Sequence, residues 1–326
     1  MSVAGGMTRS IDRALGAGCE SLQVFTKNNN QWRAHALRDE DVATFRVGVE
    51  ESGLQPVLAH ASYLINMGTP DDVLWNKSID SLDEELTRCE ILGIPLLVVH
   101  PGSHVGSGED AAIRRIAGAL DEVHSRHPGS PSTILLENTA GQGSAIGYRL
   151  EHLAEIMQKV SASRRVGVCI DTAHLYAAGY DIGTSKGWDA TWSDFDRHVG
   201  FGKLAALHVN DSKRPLASRV DRHEHIGSGL IPILGFLLLM NDERLGGLPA
   251  ILETAKTEVG HEDAQNMAVL RRLAGRKRPP TAAQVVAWRE AAWTAAVEKA
   301  RREVPQRAGR GERSGRGSTR SPRAEP

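Results

Sequence analysis

The most constraining feature of this chain is a series of seven short apolar runs, six of which carry a histidine or a carboxylate at or near their C-terminal end. They are "SLQVFT" (21–26), "PVLAH" (56–60), "PLLVVH" (95–100), "TILLEN" (133–138), "VGVCID" (166–171), "LAALHVN" (204–210) and "PAILET" (249–254). The runs are continuous rather than alternating, which suits parallel strands covered on both faces. Between them lie helical patterns, among them residues 71–93, 108–127 and 149–160. Repeated β–α alternation implies a parallel sheet with right-handed crossovers. The expected fold class is therefore α/β, a (β/α)8 TIM barrel. Only seven strands are visible. "MSVAGGMTRS" (1–10) cannot be a buried strand, and a helix is expected to begin near Met7. The first strand of the barrel is thus expected to be missing at the N-terminus.

Composition bounds the rest. The 326 residues are 40% hydrophobic and 24% charged, the balance of a soluble globular chain. No apolar run reaches the roughly 18 residues of a membrane span. "LIPILGFLLLM" (230–240) reads as a buried helix instead, and the N-terminus has no secretory pattern. Cys19, Cys89 and Cys169 form no C-x-x-C pair and fit a reducing cytoplasm. A barrel domain is expected over residues 1–275. A helical extension follows over 276–304, where the sequence turns Ala-rich, and a disordered tail over 305–326. The net charge is −1, yet residues 301–326 hold eight arginines against three glutamates. That basic segment is either plain solvated disorder or a weak auxiliary contact for nucleic acid.

The ligand-type residues fall one per β–α unit. His60, His100, Glu137, Asp171 and His208 close successive runs, with Glu253 at the seventh. His174 stands one turn beyond Asp171, and Asp221 and His223 lie in the following loop, "DRHEHIGSG" (221–229). Strand ends of one polarity share the face on which barrel active sites are built. Taken singly these signals are weak: a strand-end histidine is commonly a satisfied core residue, and "DTAH" can be a capped turn. A glutamate ending an apolar strand is stronger, because a buried carboxylate requires a partner. Five imidazoles and four carboxylates without a thiolate suit Zn²⁺ or Mn²⁺ and exceed what one ion needs. The surplus implies a multinuclear site of the kind that serves phosphoryl chemistry.

The sequence resembles the endonuclease IV family of apurinic/apyrimidinic (AP) endonucleases. The resemblance rests on "FTKNNNQW" (25–32), "AHASYLINMG" (59–68), "VVHPGSH" (98–104), "LLENTAGQG" (135–143), "CIDTAHLYAAGYD" (169–181), "HVNDSK" (208–213), "DRHEHIGSG" and "ILETAK" (251–256). It runs in order over residues 2–275. It implies a barrel with three zinc ions, with Mn²⁺ possible at one position. His60, His100 and Glu137 would hold the first ion. Glu137 would bridge to a second, held with Asp171, His208 and Glu253. His174, Asp221 and His223 would hold the third. The implied partner is double-stranded DNA with abasic sites. The implied reaction is hydrolysis 5′ to the lesion, leaving a 3′-hydroxyl and a 5′-deoxyribose phosphate, with trimming of blocked 3′ ends. Glu137 would orient or deprotonate the attacking water. Tyr63 and Leu64 match positions that fill the gap in the base stack, and Asn30 stands where the family commonly has arginine. Trp32, with Lys27, Asn28 and Gln31, completes the expected groove contacts. The remaining histidines match no ligand position and are expected at the surface or behind the ligands. A monomer acting on DNA in the cytoplasm, at the nucleoid during repair, needs no obligate protein partner.

Two other readings compete. Xylose-isomerase-like sugar isomerases and epimerases also put Glu, Asp and His at strand ends. They bind one or two metals, however, and have no use for the "FTKNNNQW" and "SYLIN" loops. A damaged-DNA binder with a structural metal cluster would hold zinc and leave abasic DNA uncut.

Overall fold

The computed structural model describes residues 1–257 and 261–303. Seven strands form one parallel sheet: β1 (Leu22–Val24), β2 (Val57–His60), β3 (Leu96–Val99), β4 (Thr133–Glu137), β5 (Val166–Asp171), β6 (Leu204–His208) and a last strand, Ala250–Ile251. Each pairs with its sequence neighbour in the sheet, so the order around the wall is the order along the chain. Between β6 and the last strand, Asp211–Ser212 (β7) pairs antiparallel with His223–Glu224 (β8), which makes Ala250–Ile251 β9. Among the described residues β1 and β9 do not pair with each other. The wall is a nearly closed TIM barrel with one seam.

The helices lie outside it: α1 (Thr8–Ala17), α2 (Asp39–Ser52), α3 (Asp72–Leu92), α4 (Glu109–Arg126), α5 (Leu150–Lys159), α6 (Thr172–Ala178), α7 (Ser185–His198), α8 (Ile233–Asn241), α9 (Glu262–Leu273) and α10 (Ala282–Glu303). Their limits follow local chemistry. Asp71 caps α3 by accepting a hydrogen bond from the Leu74 N–H at 2.9 Å. Gly93 ends that helix at φ 72°, a conformation that only glycine adopts without strain. The apolar run at 230–240 is α8, with Phe236, Leu237 and Leu239 buried.

Register sorts the strand residues into two faces. Gln23 pairs with Leu58, His60 with Val98, Glu137 with Cys169, and Asp171 with His208. These side chains point into the barrel. Leu58, Val98, Leu135, Cys169, Ala206 and Ile251 fill its lower interior as one apolar layer. The polar ends of the same strands stand above that layer. The outward residues pack with the helices into the main core.

Most strands are shorter than their apolar runs, and in two the reason is visible. The run at 204–210 stops pairing at His208 because the Asn210 N–H turns to the Thr172 hydroxyl, at 2.9 Å. The run at 249–254 pairs only over Ala250–Ile251, since the Glu253 N–H goes to Asn210 Oδ1 at 2.8 Å. The helical extension is present as α10. It buries Val285 and lays Arg289 Nη1 on the Ile226 carbonyl at 3.1 Å. The tail expected over 305–326 lies outside the described residues.

Candidate metal centre

All nine ligand-type residues converge at the C-terminal mouth of the barrel. His60, Glu137, Asp171 and His208 are the last residues of β2, β4, β5 and β6. His100 follows β3, His174 sits in the first turn of α6, His223 opens β8, and Glu253 lies just beyond β9. Six of them, with Tyr63 and Arg222 at the rim, line a mouth cavity of about 410 Å³.

The Nε2 atoms of His60 and His100 each lie 3.1 Å from Glu137 Oε2. The other oxygen, Oε1, lies 3.0 Å from His208 Nδ1, which is also 3.0 Å from Glu253 Oε2. Glu137 therefore presents one oxygen to each of two donor groups. In a third group, His174 Nε2 lies 3.2 Å from Asp221 Oδ2 and 3.4 Å from His223 Nε2. Asp171 Oδ2 is 3.6 Å from that same His223 nitrogen. Ligand atoms of the His60–His100–Glu137, Glu137–Asp171–His208–Glu253 and Asp171–His174–His223 groups all lie within 4.8 Å of one another inside each group. Tetrahedral bonds of ~2.0–2.1 Å put neighbouring ligand atoms about 3.3 Å apart, so the spacing fits a cation in each group.

The ring nitrogens are presorted for that task. His60 Nδ1 is 2.7 Å from the Ala61 carbonyl, and His174 Nδ1 is 2.8 Å from the Asn138 carbonyl. Each donates its Nδ1–H there, so Nε2 is the nitrogen left for a cation, the usual arrangement behind a metal-binding histidine. His174 and His223 turn their Nε2 atoms toward one another, where a cation would take the place of a proton. Asn138 and Asn210 support the carboxylates. Asn138 Oδ1 accepts from the Asp171 N–H at 2.6 Å, and Asn210 Nδ2 donates to Asp171 Oδ2 at 2.6 Å. Asp171 Oδ1 also caps α6 through the His174 N–H, at 2.8 Å.

The electrostatics agree. Burial disfavours charge on Glu137, but His208 and His100 beside it hold its carboxyl well below the usual range. Burial likewise opposes charge on Glu253, and His208 outweighs it, bringing the pKa down to about 2. Burial opposes the protonated forms of His174 and His208, yet the surrounding acids push both well above the ordinary value. Without cations, His174 and His208 are thus held as imidazoliums against the buried carboxylates. Cations would replace those protons.

A family model described as "Xylose isomerase-like TIM barrel" matches residues 11–273. A protein named "Probable endonuclease 4" from Chloroflexus aurantiacus is 45% identical over 273 residues, which is 84% of this chain and 96% of that relative. The crystal structure of endonuclease IV from Thermus thermophilus superposes with a TM-score of 0.74 at 35% identity, covering 84% of this chain and 96% of that one. The chain belongs to the endonuclease IV family. A D-tagatose 3-epimerase-like protein also superposes, with a TM-score of 0.64 over 83% of this chain and 94% of that one, but at 15% identity it shares the fold alone.

The loops that carry the family resemblance surround the mouth. Tyr63 is 53% exposed and stands against Phe25, His60 and His100 at centroid distances of 5.7, 5.4 and 5.9 Å. Leu64 beside it is half-buried and Asn30 is exposed. Trp32 is half-buried under the Lys77 ammonium, 4.3 Å from the ring centroid. Lys27 is not a groove residue. It is buried, and its amine binds Ser81 Oγ at 2.9 Å and Glu84 Oε2 at 2.8 Å. Two spare histidines also depart from expectation: His152 and His124 are buried among the helices rather than placed at the surface or behind the ligands. Sequence reasoning missed Gln23, Asn138 and Asn210. Asn138 and Asn210 carried a faint signal, as amides within two residues of a strand-end ligand. Gln23 carried none.

Proposed function

We propose that this protein is a zinc-dependent AP endonuclease. It hydrolyses the phosphodiester 5′ to an abasic site in duplex DNA, leaves a 3′-hydroxyl and a 5′-deoxyribose phosphate, and also trims blocked 3′ ends. The observation that carries the reading is Glu137, which turns one oxygen to each of two adjoining donor groups. His60, His100 and Glu137 hold one cation; Glu137, Asp171, His208 and Glu253 hold a second; His174, Asp221 and His223 hold the third. Clustered cations of this kind lower the pKa of a water and neutralise charge on the phosphoryl and leaving oxygens.

The chain's own part is positioning and proton handling. Glu137, fully buried, orients the attacking water or takes its proton. Tyr63 and Leu64 stand at the rim, where they enter the gap left by the lost base, and Asn30 and Trp32 meet the flanking backbone. A missing base makes extrusion of the sugar cheap, which favours damaged over intact DNA. The protein acts as a monomer on DNA in the cytoplasm. A sugar epimerase would share the barrel, but one or two metals would leave much of this donor set idle.

The test is incision of a labelled duplex carrying one tetrahydrofuran abasic analogue, with EDTA present and no added Mg²⁺. The analogue resists β-elimination, so lyases are silent on it. A cut on the 5′ side with a 3′-hydroxyl is expected. A soluble chain that holds three zinc ions and leaves this duplex intact overturns the reading.

A further inference from the structure

Among the four ligand histidines whose second nitrogen has a partner, three lean on backbone. His60, His174 and His223 direct it to the carbonyls of Ala61, Asn138 and Glu253, at 2.7, 2.8 and 3.4 Å. Substitution of a side chain cannot remove those acceptors. His208 is different: its Nε2 lies 2.8 Å from the side-chain oxygen of Gln23, on the far side of the seam. The same amide donates from Nε2 to Glu253 Oε1 at 2.7 Å. One buried glutamine on β1 thus holds a ligand of β6 and a ligand beyond β9. Reversing the amide would set its oxygen against a carboxylate, so both contacts enforce one orientation.

We propose that Gln23 is a positioning residue that delivers His208 Nδ1 and Glu253 Oε2 to the second cation site. By accepting the His208 Nε2–H it selects the tautomer with Nδ1 bare. By occupying Glu253 Oε1 it turns Oε2 toward the same point, where the two atoms lie 3.0 Å apart. The strand that contributes no ligand therefore completes the site from behind. Outer partners of this kind are commonly worth about 10–100-fold in metal affinity. The inference rests on the reading of the cluster as a zinc centre.

The test uses zinc-loaded wild-type protein with Gln23→Leu and Gln23→Glu. Zinc release to a competing chelator is followed, and ring-nitrogen NMR reports the histidine tautomers. Wild type is expected to hold three zinc ions and to show His208 protonated at Nε2. In Gln23→Leu one zinc of the three should leave about 10–100-fold faster, and the protected His208 Nε2 proton should vanish. Gln23→Glu retains the oxygen facing His208 and should keep that proton, while still losing the zinc faster because Glu253 is repelled. A merely structural role would speed release of all three ions together and leave the His208 signal in place. Wild type that binds no zinc overturns both the metal reading and this inference. Wild type with three zinc ions and a Gln23→Leu protein that releases them at the same rate overturns this inference alone. Should Gln23→Leu fail to fold, an unchanged release rate in Gln23→Glu overturns it equally.

Discussion

The barrel wall has two unlike halves. From β2 to β6 every strand is hydrogen-bonded on both sides, and Leu58, Val98, Leu135, Cys169 and Ala206 seal the interior beneath the ligands. Between β1 and β9 there is no ladder among the described residues. A cleft of about 420 Å³ lies there instead, bordered by Leu22, Met240, Leu252, Met267 and Leu270, and the Met1 ammonium reaches the Gln23 carbonyl from within it. The difference matters for the candidate metal centre. The His60–His100–Glu137 group stands wholly on or beside paired backbone. His208 too is paired, with Asp171 on β5 and Ile251 on β9, but the His208–Glu253 pair also depends on the Gln23 amide reaching over from β1 on the far side of the seam. A ligand set can thus look uniform while its supports differ in kind.

The sharpest way to break this comparison is to remove one carboxylate from each half. Glu137→Gln withdraws the shared ligand of the sealed wall. It should cut incision by at least about 10³-fold and lower zinc content at two positions. Glu253→Gln withdraws the seam ligand. It should also abolish measurable incision, yet lose only one zinc ion and leave the fold largely intact. Metal analysis beside the incision assay separates the two. Equal zinc loss from both variants would show that the halves are not independent.

Stability should divide the same way. Leu135→Ala empties a fully buried position of the sealed layer and should cost ~2–5 kcal/mol. Met267→Ala, on the border of the cleft and only half-buried, should cost less than about 1 kcal/mol, because the site is already underpacked. Denaturant unfolding of the metal-free forms measures both. Comparable losses would mean that the seam is as tightly packed as the wall.

Much of this was legible in the sequence, for a physical reason. A charged or imidazole group at the end of an apolar run is costly without a partner, so His60, Glu137, Asp171 and His208 announced themselves, and their one-per-unit spacing announced the barrel. What was not legible depends on contacts distant in sequence. Gln23 lies 185 residues from His208 and 230 from Glu253. Inside "SLQVFT" it reads as an ordinary strand residue. The β7–β8 pair is equally hidden, because Asp211 and Glu224 meet only after the intervening loop folds back. Lys27 looked available to DNA because its sequence neighbours are polar, and only the packing of α3 reveals its buried amine.

Acid should loosen the sealed half through His124. This ring is buried in α4 with neither nitrogen hydrogen-bonded, and burial, helped by the Arg165 charge, lowers its pKa to about 4. The folded protein therefore keeps it neutral where an unfolded chain, with a pKa of about 6.5, takes up a proton. Its full contribution is present above about pH 6.5 and drains away as the pH falls through the folded value. The loss should be of order 2–3 kcal/mol by about pH 4. His124→Leu should flatten that part of the stability–pH curve. A variant as acid-sensitive as wild type would place the titration elsewhere.

The smallest effect should come from deleting residues 305–326, which lie outside the described residues. None of the nine candidate ligands falls within it, and the family match ends at residue 273. Zinc content, thermal stability and incision rate at low salt should stay unchanged. Its six arginines against two glutamates can add phosphate contacts that carry no sequence information. Each such contact steepens the fall of DNA affinity with salt, with a slope of about −0.9 per phosphate neutralised. The truncated protein should therefore bind duplex DNA with a shallower salt dependence and a modestly weaker affinity. Salt titration of binding, with and without the segment, reads the difference directly. Identical slopes would assign these arginines to solvent alone. A loss of incision at low salt would instead tie the segment to the barrel mouth.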